Sequence, residues 1–382
     1  MAVLVIDVGT SFVEVARVDL AGHHVSAGVR SLNKQVFFGT NVLARLSAAL
    51  EGHAEDLQTA AHESVLDALA LLSESDIAHC NADDILAYTE RIIIGANSVM
   101  APLFCGVVPT GLARAPFAPS EIARCESGAL IQKWRRLRGD ETRGAEMVQP
   151  IAAFVGGDAR AVLVATGLNE TGDDKAHLVV DLGTNAEILL RAGEDLYVAS
   201  VPAGPTFEGV LSSGITGWRG TDVIAHLAQM RRIGALAGDG RVLDSEAMHP
   251  LTQEDVRDFQ LAKAAVRAGI DALLKRVSDV CGHTVTLESF TLAGTFGAHL
   301  DLEAAHTIGL LPPGLPEPSV IGNESVNCAE TIDTSNLDNA VLIGATRIAA
   351  GSPCAIAGNV IAVELARDEY YAETLLSELS II

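Results

Sequence analysis

The chain has 382 residues, with 49 acidic against 26 basic side chains and a formal net charge of −23. That excess is spread along the sequence and argues against nucleic acid or an anionic membrane surface as the main partner, since both require a positive face. Apolar residues make up 49%, enough for two cores at about 150 residues per domain. No run approaches the ~18 uninterrupted apolar residues of a membrane span.

The first segment, MAVLVIDVGT, has no basic stretch and no small-residue cleavage site, so it predicts a buried strand rather than a secretory leader, and a cytoplasmic protein. Six cysteines (Cys80, Cys105, Cys125, Cys281, Cys328 and Cys354) lie far apart without short C-x2-C pairs. They are expected to be reduced thiols that fill the core, with no zinc or iron–sulfur site in the chain.

Residues 2–8 and 12–18 read as a hairpin, and 40–51 and 57–80 as helices. RIIIGANSVM, at 91–100, is a short buried strand running into a helix. A Pro-rich loop follows at 109–121, and 127–150 is polar and expected to be loop-rich. PIAAFVGGDARAVLVATGL then combines a strand, a Gly-Gly turn and a helix, with Asp158 either a helix N-cap or a catalytic carboxylate.

HLVVDLGTNAEILL, at 177–190, restarts the opening pattern. It leads into a Gly-rich loop at 203–217 and the clearest helix of the chain at 252–280, with Thr252 as N-cap. FTLAGTFGAHL is a strand, a Gly turn and a helix start. NAVLIGATRIAA, at 339–350, is a Gly-containing helix, followed by a strand and a last helix. The alternation predicts an internally duplicated α/β protein: a first lobe at 1–150, a second at 151–345, and a C-terminal segment, 346–382, that returns to the first.

The repeated unit is Asp-x-Gly-Thr between two strands. Gly9 and Gly183 let the backbone approach a ligand, and the residues that follow, Thr10 and Ser11 or Thr184 and Asn185, supply hydroxyl, amide and backbone N–H groups to an anion. Asp7 and Asp181 end buried strands, where a lone carboxylate is costly and a hydrated Mg²⁺ between carboxylate and phosphates fits. Two such turns, each heading half of the chain, predict a phosphate chain gripped from both sides.

In this order of motifs the sequence resembles the superfamily of sugar kinases, heat-shock chaperone ATPases and actin. It has a first phosphate loop (Asp7–Ser11), a second (Asp181–Asn185), an adenosine loop in LAGTFG and a returning Gly-Ala helix at Gly344-Ala345. DLGTNAEILL, AGPTFEG, FQLAKAAVRAGIDALL and FVGGDARA further resemble the ATPase portion of the reductive activators of corrinoid proteins.

That resemblance implies a duplicated actin-like (ribonuclease H-like) two-lobed ATPase with a nucleotide cleft between the lobes. It implies ATP and Mg²⁺ as cofactors, a corrinoid methyl-carrier protein as partner and a homodimer. The activity implied is ATP-dependent return of oxidised Co(II) corrinoid to Co(I). The cysteine set of the ferredoxin-like domain usual in the family is not found in this sequence, so that domain is expected to be lacking and the electron to come from a separate low-potential donor. Pro102 and Asn41 also stand where the family pattern has His and Asp.

Asp181, Glu187 and Asp7 are the candidate catalytic carboxylates, with Asp7 and Asp181 also holding the metal. Gly204 and Glu208 in AGPTFEG, and Gly294, Thr295, Phe296 and Gly297 in the adenosine loop, are expected at the nucleotide. Gln260, Lys263 and Arg267 share one helix face. Lys263 and Arg267 are expected either to hold adenosine, as charged residues do on a comparable chaperone helix, or to form a solvated face. Two other functions compete: a small-molecule kinase of the same fold, and a nucleotide sensor without catalysis.

Overall fold

The computed structural model describes residues 1–75, 81–170, 175–321 and 332–380. The chain divides into two compact units, one of Met1–Glu170 with Ile321–Ile356, the other of Thr171–Val320 with Ala357–Ile382.

The first unit is built on seven strands: β1 (Ala2–Val8), β2 (Phe12–Asp19), β3 (His24–Val25), β4 (Val29–Leu32), β5 (Thr89–Ala96), β6 (Arg124–Cys125) and β7 (Ala145–Met147). Their order is β3-β2-β1-β5-β7-β6, with β4 also paired to β2. β1 lies antiparallel to β2 and parallel to β5. It reads as an unbroken apolar run because both faces are covered. Leu4, Ile6 and Val8 join Leu57, Leu69, Phe104 and Trp134 in one core. The helix Ala340–Ala349 packs on β1 and against the helix Gly157–Thr166. Gly344 permits that crossing, since a Cβ there would overlap the Ala161 carbonyl.

The second unit repeats the plan with β8 (Ala176–Leu182), β9 (Asn185–Ala192), β10 (Asp195–Pro202), β11 (Leu287–Ala293), β12 (Ser319–Val320) and β13 (Asn359–Ala362). Their order is β12-β11-β8-β9-β10-β13. β8 is antiparallel to β9 and parallel to β11, as β1 is to β2 and β5. The helix Gln253–Cys281 starts at a capping box between Thr252 and Asp255 and stops at left-handed Gly282. Its apolar face, with Phe259, Val266 and Ile270, is buried in one core with Leu178, Val180 and Ile188.

Four features depart from the sequence expectations. Residues 127–150 contain a helix, Ala129–Arg138, whose polar look comes from an outer face of basic residues. Leu130, Ile131 and Trp134 are buried, and the Trp134 indole donates to the Thr89 carbonyl at 3.0 Å. The helices expected at 40–51 and 57–80 run on through a kink at Gly52, where φ is +106°, and residues 76–80 lie outside the described residues. PIAAF forms no strand.

The units also fall differently from the expected boundaries at 150 and 345. Residues 157–166 pack with 340–349 in the first unit, and 357–382 belong to the second, where β13 adds to β10.

Candidate active site

In the second unit the β8–β9 hairpin sets Asp181 directly opposite Glu187. Cross-strand partners share a face, about 4.5–5.5 Å apart at Cβ, and two like charges there repel. Glu187 is buried and accepts a hydrogen bond from the Ser200 hydroxyl, 3.2 Å away on neighbouring β10. The Thr184 peptide then ties the turn to the loop after β10. Its carbonyl accepts from the N–H groups of Ala203 (3.1 Å) and Gly204 (2.8 Å), and its N–H donates to Glu208 Oε1 at 3.1 Å.

β11 brings Ala293 beside Asp181, and Gly294 follows with φ of +80°. A Cβ on Gly294 would run into Asp181 Oδ1, so only glycine lets this loop meet the carboxylate so closely. The Asp181 turn, the Glu208 loop and the Gly294 loop therefore converge within one unit.

The first unit makes the same arrangement from different residues. Asp7 lies opposite Glu14 in the β1–β2 register. Asn339 donates from Nδ2 to Asp7 Oδ2 at 2.8 Å and to Glu14 Oε2 at 3.1 Å. Its Oδ1 caps the helix Ala340–Ala349 through the N–H groups of Val341 and Leu342. Burial raises the Glu14 pKa above the usual carboxylate value, and the Asn339 hydrogen bond opposes that shift.

In the turn itself, a Cβ on Gly9 would sit 2.9 Å from the Phe12 carbonyl oxygen. Thr10 and Ser11 are nearly buried. The Thr10 hydroxyl accepts from Asn97 at 3.2 Å, and Asn33 donates to the Gly9 carbonyl at 2.8 Å. Asp158 lies in the first turn of the helix Gly157–Thr166, next to Gly95, which pairs with Asp7 in the β1–β5 register. Burial pushes its carboxyl up to about 6.

The side-chain donors at both turns are oxygen atoms, the type a hard divalent cation such as Mg²⁺ takes, and among the described residues no three His, Cys, Asp or Glu side chains cluster to hold a metal by themselves. The RACo middle region matches residues 2–171, and the C-terminal domain of RACo, the ASKHA domain, matches 175–221 and 235–381. The chain belongs to the RACo family.

The corrinoid activation enzyme RamQ of Eubacterium limosum is 28% identical to this RACo-family chain over 97% of it and 68% of its own length. The Co(II) methylated amine-specific corrinoid protein reductase of Methanosarcina barkeri is 23% identical over 89% of this chain and 72% of its own. The solved structure of a reductive activator for corrinoid, iron–sulfur protein aligns with a TM-score of 0.75 at 21% identity, covering 100% of this chain and 66% of that one. The chain thus spans about two thirds of the length of these relatives. Its fold is the actin-like ASKHA fold, a mixed α/β architecture.

Within this RACo fold the sequence-selected residues do not all behave as expected. Lys263 and Arg267 form neither a solvated face nor an open ligand surface, because the C-terminal segment covers them. Lys263 Nζ donates to the Ser380 carbonyl at 2.7 Å and pairs with Glu378 at 3.4 Å. Arg267 donates to the Gly309 carbonyl at 2.8 Å and pairs with Glu378 at 3.3 Å. Burial lowers the Lys263 pKa despite Glu378.

Phe296 is buried against Phe207, ring centroids 5.1 Å apart, and serves the core. The cysteines are not uniformly core residues either. Cys125 is buried, Cys105 and Cys354 are half-buried, and Cys281 is exposed, while Cys80 and Cys328 lie outside the described residues.

Glu14, Asn97, Ser200 and Asn339 escaped the sequence reading. Glu14 had a signal: both hairpins carry a Glu on the second strand, and it pairs with the Asp of the first. The turn of the first hairpin is one residue longer between the two carboxylates, which hides the match. Asn97 and Asn339 reach the first turn from distant segments, and nothing local marks them.

Proposed function

We propose that this chain is the ATP-driven part of a reductive activator, which returns the Co(II) form of a corrinoid methyl-carrier protein to Co(I) with an electron from a separate low-potential donor. The observation that carries this reading is the same carboxylate pair at the Asp-x-Gly-Thr turn of each unit, Asp7 with Glu14 and Asp181 with Glu187. The similarity to RamQ, a corrinoid activation enzyme, and to the corrinoid protein reductase supports the choice of partner.

In this reading the turn residues Gly9, Thr10 and Ser11 of the first unit, and Gly183, Thr184 and Asn185 of the second, bind phosphate oxygens at their own turns, with the Gly183 and Thr184 N–H groups holding the second turn in shape through the Asn185 carbonyl and Glu208. Gly204, Glu208 and the Gly294–Gly297 loop hold the nucleotide. Asp7 in the first unit and Asp181 in the second would each offer a carboxylate to Mg²⁺ at its own turn, and the ion would supply neutralisation of developing charge on the phosphates. Asp181 and Glu187 orient the attacking water, with Ser200 fixing Glu187. Lys263 and Arg267 keep the C-terminal helix in place instead of touching adenosine. Binding and hydrolysis of ATP then bias a two-state equilibrium in the corrinoid partner.

Steady-state ATP hydrolysis with and without a cobalt-containing methyl carrier tests the proposal. Stimulation by the carrier is the expected result. Phosphate transfer to a sugar or acid instead of water would make the chain a kinase, and tight ATP binding without turnover would make it a sensor.

A further inference from the structure

The C-terminal helix, Glu369–Ser377, lies along the helix Gln253–Cys281 without fully burying any of its own residues. Three contacts fix its direction. Lys275 Nζ stands 5.6 Å over the Tyr370 ring, Arg267 pairs with Glu378 at 3.3 Å, and Lys263 Nζ donates to the Ser380 carbonyl at 2.7 Å. The two segments therefore run antiparallel. Lys263, Arg267, Asp271 and Lys275 recur every four residues, so the covered face of the long helix is a charged stripe. Gln260 extends it and donates to the Leu379 carbonyl.

The cover and the covered face differ in burial. Gln260, Lys263 and Arg267 are buried, whereas Tyr371 and Leu375 are only half-buried against the core and Leu376 is 71% exposed. Buried cations repay their desolvation only when their polar atoms are satisfied, and a permanent cover gains more from apolar residues. Here Arg267 Nε and Glu378 Oε2 have no hydrogen-bond partner among the described residues. Burial also raises the Asp271 carboxyl above its usual value. Water satisfies every group of the stripe, so lifting the helix gives up little apolar burial and relieves these groups.

The seated segment shows what the stripe accepts. Residues 368–380 carry four acidic side chains and no basic one. Tyr371, Leu375 and Glu378 follow at helical spacing on the face that meets the long helix. As a whole the chain, at net −23, repels an acidic helix. The buried cations Lys263 and Arg267 attract one.

We propose that the charged stripe from Gln260 to Lys275 is a docking groove for an acidic amphipathic helix of a partner protein, and that the chain's own C-terminal helix occupies it until displaced. Tethered through β13, the C-terminal helix competes at a high effective concentration, which shuts the groove against weak acidic ligands. A partner helix that fills the groove better takes its place.

None of these residues belongs to the carboxylate pairs described above. Phe259, beside Gln260, meets the Phe207 ring edge-on at 6.3 Å, and Phe207 precedes Glu208, so the groove and the Glu208 loop share one core.

The test uses the full 382-residue chain, wild type and Glu378→Gln, with a fluorescent peptide of residues 368–380 as the acidic helix. By hydrogen exchange, the amides of 369–377 should open faster than those of 253–281 in the wild type. Glu378→Gln should speed the first set about thirtyfold, the ratio that about 2 kcal/mol gives, and leave the second unchanged. The peptide should bind the variant chain about thirtyfold more tightly than the wild type, because its tethered competitor is weakened. A peptide that itself carries Glu378→Gln should lose that gain. No peptide binding to the variant chain, or equal speeding of both helices, would overturn the proposal. So would a dimer that Glu378→Gln dissociates, because a second copy's C-terminal helix would then be the occupant.

Discussion

Asp181 carries more of the proposed chemistry than any other side chain. Phosphate binding at its turn depends in the proposed reading on Gly183, Thr184 and Asn185, which Asp181→Asn leaves in place, and the swap is nearly isosteric. Turnover should fall ~10²–10⁴-fold, as for the loss of a positioned acid–base group. ATP affinity should weaken only about tenfold, or ~1.4 kcal/mol. Calorimetric affinity beside steady-state hydrolysis separates the two, and a wild-type rate in the variant would move the role to Glu187 or Asp7. Asp158 offers a test by pH. Its carboxyl is raised to about 6 from an ordinary 3.8, so the folded chain holds this proton more tightly than the unfolded chain. The stability it lends is complete below pH ~4 and is lost as pH rises through about 6. Asp158→Asn should abolish that loss. Between those limits it should gain about 1–2 kcal/mol on the wild type in urea unfolding, less than full burial would give because the residue keeps some exposure. A gap that does not change with pH would refute the assigned shift.

At the scale of elements, the two hairpins, the 253–281 helix and the returning 340–349 helix were legible because each is a long apolar pattern with its own cap or turn residue. Thr252 marks the start of its helix by local chemistry. The 129–138 helix was hidden by Lys133, Arg135, Arg136 and Arg138, whose charges outnumber the buried Leu130, Ile131 and Trp134. The fate of Lys263 and Arg267 was illegible for a different reason. Their spacing announces a shared face, but what covers that face, Glu378 and Ser380, lies more than a hundred residues along the chain. Glu378→Gln leaves two buried cations facing a neutral group. It should lower the stability of the second unit by about 2 kcal/mol, short of the full cost of breaking a buried pair because Glu378 is partly exposed. Denaturant unfolding indistinguishable from wild type would show that the C-terminal helix docks without this ion pair.

On the scale of the whole molecule, the duplicated plan was visible in the repeated Asp-x-Gly-Thr turn, whereas the assignment of segments to units was not. The chain passes between the units more than once, and only packing shows that 157–166 and 340–349 belong together. Nucleotide binding at the described turns should act on the fold as a unit. A ligand that binds only the folded chain stabilises it by ~2.7 kcal/mol at a hundredfold excess over Kd. ATP with Mg²⁺ should therefore raise the melting temperature, and no shift with any adenine nucleotide would remove the nucleotide from the account. In the proposed function, ATP turnover drives a corrinoid to its reduced form. The direct measurement is the visible spectrum of a Co(II) corrinoid carrier mixed anaerobically with this chain, a low-potential electron donor and ATP–Mg²⁺. Co(I) should accumulate only when chain, donor and ATP are all present, and Asp181→Asn should prevent it; accumulation at the same rate without ATP, or none with every component supplied, would show that ATP turnover by this chain does not drive the reduction.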